Sequence, residues 1–346
     1  MELDPTAERT HAALPNTLAS DAPIVAVWRG DLIESVHYGR YVFCDAQGER
    51  KDYLGDTEGY VYLRSSAKPF QALPLVFSGA ADAFGLTSEE LAVACASHSG
   101  EPRHLAAVRS ILHKAGLSES DLQNGTHPPR HALTAARLAR NGDTPRPIHG
   151  NCSGKHAGML AVCVYAGWDP AGYRDPEGPL QKLVQRTVAK LCGIEPEAIR
   201  TAGDGCGVPV FALPLQKLAL SFARLFTDDA KAFPEDLLEA VCRVRDAMRV
   251  HPFMVAGTGR FDTSIMKETD LIAKSGAEGV FAAGSPEGWG LALKVSDGAS
   301  RAVAPTALAV LNRKGVRVPM EIEVGTMKDL HGKAVGKVAP LLQNNP

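Results

Sequence analysis

The pattern of apolar and polar positions changes character twice along the chain. From Pro23, short runs rich in β-branched and aromatic residues (PIVAVWRG, ESVHYGRYVFCDA and YVYLR) stand between turn-forming residues, and each predicts a β-strand. Segments 66–77, 88–96, 102–115, 155–166, 177–192, 209–226 and 235–250 then carry helical periodicity or helix-forming composition, separated by Gly, Pro, Asn and Asp. After about residue 277 strand signals return in EGVFAAG and GWGLALKVSD. A helix is predicted over 300–312, followed by a β-like tail, EIEVGTMKDLHGKAVGKVAP.

Strands, a long helical middle (about 66–270) and strands again describe an α+β protein, not a regular βαβ alternation. Two β-rich ends fit one antiparallel sheet built from both chain ends, with the helical middle packed beside it. A β domain joined to an α domain fits the same periodicity. Residues 1–22 are polar and predict a flexible N-terminal arm ahead of the folded unit, 23–346.

Composition narrows the function more than the fold. The 346 residues are 45% hydrophobic and 22% charged, with 37 Lys+Arg against 39 Asp+Glu, the profile of a soluble globular protein. Without a basic excess there is nothing to neutralise phosphates, which excludes an electrostatic nucleic-acid binder. The first 22 residues lack a basic stretch followed by an apolar one, so no secretory signal is expected. His156–Gly167, the most apolar helical run, falls short of the ~20 residues that cross a bilayer, so no membrane partner is expected. Seven cysteines at irregular spacing do not form a secreted disulfide framework. These features predict a cytoplasmic protein.

The segment Leu63-Arg64-Ser65-Ser66-Ala67-Lys68-Pro69-Phe70 holds the first candidate chemistry. Ser65 and Lys68 lie three apart where strand gives way to helix, so both fall on one helical face. A serine hydroxyl needs a neighbouring base to act as a nucleophile, and a lysine serves only if burial or another cation lowers its pKa. Pro69 is compatible with the first turn of a helix beginning near Ser66. The spacing alone is weak, because Ser264-Ile-Met-Lys267 repeats it on a helix face that is expected to be solvated. Two further segments strengthen it. Lys274-Ser275-Gly276 leads into a strand, as the Lys-[Ser/Thr]-Gly triplet does in Ser-x-x-Lys acyl enzymes. Ala96-Ser97-His98-Ser99-Gly100-Glu101 forms a polar turn after an apolar helix and offers a second hydroxyl to pair with Lys274. If Ser65 and Lys274 share a pocket, both chain ends belong to one catalytic unit.

A second cluster comprises Gly150-Asn151-Cys152-Ser153-Gly154-Lys155-His156 and Gly203-Asp204-Gly205-Cys206-Gly207. Cys152, Lys155 and His156 share one turn, and Asp204 and Cys206 approach from another. Thiolate and imidazole suit zinc, yet the spacing is not that of a finger or ribbon, and a metal-free ligand site or plain packing fits the residues better. The flanking glycines signal close approach of the backbone to something small. Cys44, Cys95, Cys163, Cys192 and Cys242 sit in apolar segments and are expected to be core residues.

Seven segments in order, LRSSAKPFQ, ASHSGE, NCSGKHAGML, DGCGVP, HPFMVAGTGR, AKSGAEGV and LKVSDG, resemble the Rhizobium-type (class 3) L-asparaginases of the asparaginase II family. The resemblance covers the chain from about residue 23 onward and implies a fold like that of the serine β-lactamases and glutaminases. It implies hydrolysis of L-asparagine to L-aspartate and ammonia through two Ser–Lys tandems, Ser65–Lys68 and Ser97–Lys274, with Ser65 forming the acyl-enzyme. It further implies a zinc ion held by Cys152, Lys155 and Cys206, not strictly required for catalysis, and a homodimer. His156 and Asp204 match pocket positions. Asp204 would bind the substrate ammonium, and Arg64 or Arg260 its α-carboxylate. Another Ser–Lys amidase (a glutaminase or β-lactamase-like enzyme) and a zinc-dependent amidohydrolase are the alternatives. One departure stands out: Arg260 is followed by Phe261-Asp262-Thr263 where some relatives carry a cysteine.

Overall fold

In the computed structural model, which describes residues 20–227, 233, 235–318 and 325–342, the two apolar-strand regions join into one sheet. The strands are β1 (Ala22–Arg29), β2 (Leu32–Asp45), β3 (Arg50–Leu54), β4 (Tyr60–Tyr62), β5 (Arg200–Gly203), β6 (Pro209–Pro214), β7 (Ile272–Ser275), β8 (Val280–Gly284), β9 (Trp289–Val295), β10 (Thr326–Lys328) and β11 (Ala334–Pro340). The helices are α1 (Lys68–Phe77), α2 (Ala80–Ala83), α3 (Ser88–Ala94), α4 (Pro102–Lys114), α5 (Ala132–Arg140), α6 (Ser153–Tyr165), α7 (Pro179–Cys192), α8 (Leu215–Arg224), α9 (Glu235–Val250), α10 (Pro252–Val255), α11 (Phe261–Glu268) and α12 (Val303–Arg313).

The large sheet runs β10-β11-β1-β2-β9-β8-β7, with β3 also paired to β2. Its pairings are antiparallel, and the central one joins the ends of the chain: Gly39 to Asp45 of β2 faces Val295 to Trp289 of β9. This is the α+β arrangement expected, a sheet built from both chain ends beside a helical middle. One face of the sheet is sealed by α8, whose backbone comes so close that a Cβ on Gly290 would lie 1.9 Å from the Ala219 carbonyl. The core runs continuously from Val42 and Phe43 of the sheet to Leu73 of α1, Leu160 of α6 and Val244 of α9.

The structure corrects two local expectations and adds elements to the rest. YVYLR does not join the large sheet, because Tyr60–Tyr62 pairs with β6 in a separate three-stranded sheet ordered β4-β6-β5. Residues 209–226 are not one helix. Pro209–Pro214 is a strand buried along its whole length, and only Leu215–Arg224 is helical. A short apolar run bounded by prolines lacks the periodicity that separates a buried strand from a helix, and its pairing on both edges decides. Helices α2, α5, α10 and α11 and strands β3, β5 and β7 are additions to the predicted set. Residues 1–19 of the predicted arm and 321–324 of the β-like tail lie outside the described residues. The part of the arm that is described ends early, since Ala22 already pairs with Gly39. No helix among the described residues is long and apolar enough to cross a membrane.

Candidate active site

The LRSSAKPF segment turns sharply from β4 into α1. Arg64 adopts a left-handed backbone, φ 51°, which costs a non-glycine residue ~1 kcal/mol or more and persists where the surroundings demand it. Here its guanidinium is anchored, with Nε donating to Asp204 Oδ1 at 3.0 Å. A 3-10 turn over Arg64–Ala67 follows and continues into α1, where Pro69 occupies the first turn as expected. Ser65 lines a cleft of about 320 Å³ together with Ser97, Arg130, Arg260, Asp262 and Ser275. That size suits a small polar ligand. Close packing holds the turn beside β7: a Cβ on Gly276 would come within 2.7 Å of the Leu63 carbonyl, which explains why the Lys-Ser triplet ends in glycine.

Lys68 lies behind the cleft wall, 1% exposed. Its amine does not bond Ser65. It donates instead to the Ala96 carbonyl at 2.6 Å, to Ser97 Oγ at 3.0 Å and to Cys152 Sγ at 3.2 Å. Burial lowers its pKa to about 8, with the Lys155 and Lys274 charges adding to the fall and Cys152 opposing it. A lysine so placed exchanges protons near neutrality.

Ser97 follows α3 and is clamped to the loop that precedes α11. Its N–H donates to Val255 O at 2.9 Å, and Ser99 Oγ donates to Ala256 O at 2.8 Å. The Glu101 carboxylate accepts from the Thr258 N–H at 2.8 Å and its hydroxyl at 2.7 Å. The ASHSGE and HPFMVAGTGR segments therefore form one unit that presents Ser97 and Arg260 to the same space. His98 is fully buried, accepting from the Gly100 N–H through Nδ1 and meeting Ser153 Oγ at 2.8 Å through Nε2. It supports the turn and does not face the cleft.

Lys274, on β7, does not meet Ser97 in a hydrogen bond. Its ammonium donates to Asp262 Oδ2 at 3.2 Å and to the Ser275 carbonyl at 3.0 Å. Both expected tandems are thus re-paired: Lys68 bonds the second serine, and Lys274 bonds a carboxylate. Asp262, flagged in the sequence only as a departure, is 2% exposed. Burial works to raise its pKa, but Lys274 and two donors from Ser275 hold it below its ordinary value.

Cys152 is the N-cap residue of α6, and Lys155 lies in that helix's first turn. Gly154 lets the helix approach α3, since a Cβ there would sit 2.1 Å from the Val93 carbonyl. Asp204 and Cys206 come from the tight turn between β5 and β6, closed by the Asp204 N–H to Val208 O at 2.9 Å. The Lys155 amine lies 3.2 Å from Cys206 Sγ. A hydrogen bond from Cys206 lowers the Cys152 thiol well below its ordinary pKa, against the cost of burial and with help from the Lys68 and Lys155 charges. The same bond, followed by burial, raises Cys206. The Lys155 pKa is raised: burial works against its charge, but Cys206 and Cys152 outweigh it. His156 is wholly buried. Nδ1 meets Tyr173 Oη at 2.6 Å, while Nε2 has no hydrogen-bond partner.

Of the substrate-binding candidates, Arg260 lines the cleft, Arg64 and Asp204 form an ion pair at 3.0 Å, and His156 lies inside the protein. Arg130 is a cleft residue that sequence reading missed, since HPPRH carries no motif. Among the described residues neither Arg130 nor Arg260 has an ion pair or side-chain hydrogen bond. Ser264-Ile-Met-Lys267 lies on α11 with Lys267 exposed, as expected for a solvated face. Cys44, Cys95, Cys163 and Cys192 are buried and free, and Cys242 is half-buried and free.

In structure the chain is similar to "Mglu" in its native form in 4.3 M NaCl, with a TM-score of 0.38 and 14% identity over 82% of this chain. It spans 62% of the length of that protein. It is also similar to a beta-lactamase from Mycobacterium bovis, with TM-score 0.39 and 14% identity over 79% of this chain and 94% of that one. A third likeness is to simvastatin synthase from Aspergillus terreus, with TM-score 0.38 and 11% identity over 75% of this chain and 86% of that one. No curated protein matched in sequence. The model of one family, L-asparaginase II, matches residues 25–340, nearly the whole chain, and the chain belongs to that family.

Proposed function

We propose that the protein is an amidohydrolase that converts L-asparagine to L-aspartate and ammonia by Ser–Lys chemistry. The observation that carries this reading is the convergence of Ser65 and Ser97 on one small cleft, with the buried Lys68 amine 3.0 Å from Ser97 Oγ. Family membership supports a small amide as substrate.

In this reading the Ser65 hydroxyl attacks the side-chain amide carbon of asparagine, and neutral Lys68, three residues along the same turn, takes its proton. That proton passes to the leaving nitrogen, by way of Ser97 or directly from Lys68, and ammonia departs. The Ser65 ester is then hydrolysed by water, deprotonated by the same amine. Lys68 shows no bond to Ser65, but catalytic hydrogen bonds are often made only in the substrate complex. The unpaired guanidiniums of Arg260 and Arg130 suit the α-carboxylate, and Asp204, held by Arg64, suits the ammonium.

A second reading keeps the reaction and exchanges the serines. The Lys68–Ser97 bond favours Ser97 as the attacking hydroxyl, with Ser65 as relay.

The residues proposed for zinc fit that ion. Cys206 Sγ lies 3.2 Å from the Lys155 amine, Cys152 caps the helix whose first turn carries Lys155, and soft sulfur with nitrogen is a zinc donor set. Among the described residues no three His, Cys, Asp or Glu side chains form a metal cluster; the third ligand, Lys155 in its neutral form, is proposed from the family resemblance. When bound, zinc would supply a fixed positive charge that orients the substrate. Proton transfer remains with the lysines. The homodimer is proposed from the family resemblance alone.

Ammonia release from asparagine and from glutamine, with the absorbance change of a chromogenic β-lactam alongside, tests the substrate. The reading expects asparagine to be turned over fastest, and no ammonia from asparagine would refute it. Ser65→Ala is expected to abolish release in a folded protein, and wild-type turnover by that variant would refute the first reading.

A further inference from the structure

Lys274 is 0% exposed and sits among like charges. Arg260 and Arg130 act on it from the cleft side, and Lys68 faces it from α1. The Cys95 thiol, after α3, lies near it with its pKa raised to about 12 by burial, so it carries no charge to offset them. Among the described residues, the one carboxylate paired with Lys274 is that of Asp262, in the first turn of α11, at 3.2 Å. This carboxylate also accepts the Ser275 N–H at 2.9 Å and the Ser275 hydroxyl. It therefore takes donors from both Lys274 and Ser275 of the Lys-Ser-Gly triplet and ties β7 to α11 at the cleft wall.

We propose that Asp262 is a positioning residue that holds Lys274 as a fixed ammonium beside the cleft, so that Lys274 supplies charge and does not accept a proton from Ser97. The inference rests on the Ser–Lys reading above and assigns the two lysines different tasks: Lys68 exchanges protons, and Lys274 stays charged. Burial and the neighbouring cations hold the Lys274 pKa below the ordinary lysine value, and the Asp262 carboxylate opposes that fall.

Removing the carboxylate in Asp262→Asn lowers the Lys274 pKa, so the ammonium is lost as pH rises and the alkaline limb of kcat/KM for ammonia release moves to lower pH. A shift of about one pH unit, a tenfold loss at a fixed alkaline pH, is expected, with the acid limb unmoved. A uniform loss with both limbs in place would mark Asp262 as merely structural and overturn the proposal. An unchanged profile would do the same. Should Asp262→Asn fail to fold, Lys274→Arg and Lys274→Met decide. A permanent guanidinium is expected to retain at least about a tenth of kcat, whereas methionine loses more than about a hundredfold. Equal loss in both would mean that Lys274 must give up a proton, contrary to the proposal. Turnover that survives Ser65→Ala and Ser97→Ala together would instead defeat the Ser–Lys reading itself, which keeps the two failures apart.

Discussion

Lys68 combines two properties that rarely meet in one side chain, complete burial and four polar neighbours. The Ala96 and Asn151 carbonyls, the Ser97 hydroxyl and the Cys152 sulfur hold its amine at a point, while burial lowers its pKa to about 8. Lys68→Met keeps the apolar stem and removes only the amine. It is expected to lower kcat by at least ~10²-fold while thermal unfolding stays cooperative. An active, folded Lys68→Met would mean that another group takes the proton. The guanidiniums predict a different signature. Arg260→Met and Arg130→Met are each expected to raise KM for asparagine about tenfold or more, with a smaller change in kcat, because a carboxylate contact is made in ground and transition states alike. A fall in kcat at constant KM in steady-state assays would exclude that role.

At the scale of elements, the site depends on close backbone approaches that side chains would block. The turn at Leu63–Arg64 sits under the end of β7 because Gly276 has no Cβ. Gly276→Ala is expected to displace that turn and cost about 10–100-fold in kcat, the scale of a misplaced nucleophile, with little change in far-UV circular dichroism. Wild-type kcat in this variant would show that the packing is not what aims Ser65. The same features explain what could be read from sequence and what could not. The Ser-x-x-Lys spacing, the polar turn at Ser97, the Lys-Ser-Gly triplet and the Cys152 and Cys206 turns are local, and order along the chain made them legible together. Which lysine meets which serine depends on the placement of α1, α3 and β7, and no spacing contains it. Arg130 reaches the cleft through a proline-bounded loop without periodicity. Pro209–Pro214 looked helical because a fully buried strand shows no alternation, and its partners, β4 and β5, are remote in sequence or short.

Across the whole molecule, strands from both ends and helices from the middle meet at one cleft. β2 binds β9 across some 250 residues, which brings the Lys274 strand beside the turn that carries Ser65. Metal would bind at the junction of α6 and the β5–β6 turn and so tie two layers together. If zinc is resident, metal analysis should find it in the wild type and not in Cys206→Ser, and chelation should lower Tm. Turnover is expected to survive chelation with a raised KM. Its complete loss would transfer the chemistry to a zinc-dependent mechanism. Which atom attacks the amide is decided by acid-quenched reaction with asparagine followed by peptide mass spectrometry. An aspartyl ester is expected on the peptide at Ser65, absent from Ser65→Ala. An ester at Ser97, or ammonia released in bursts with neither serine acylated, would contradict it.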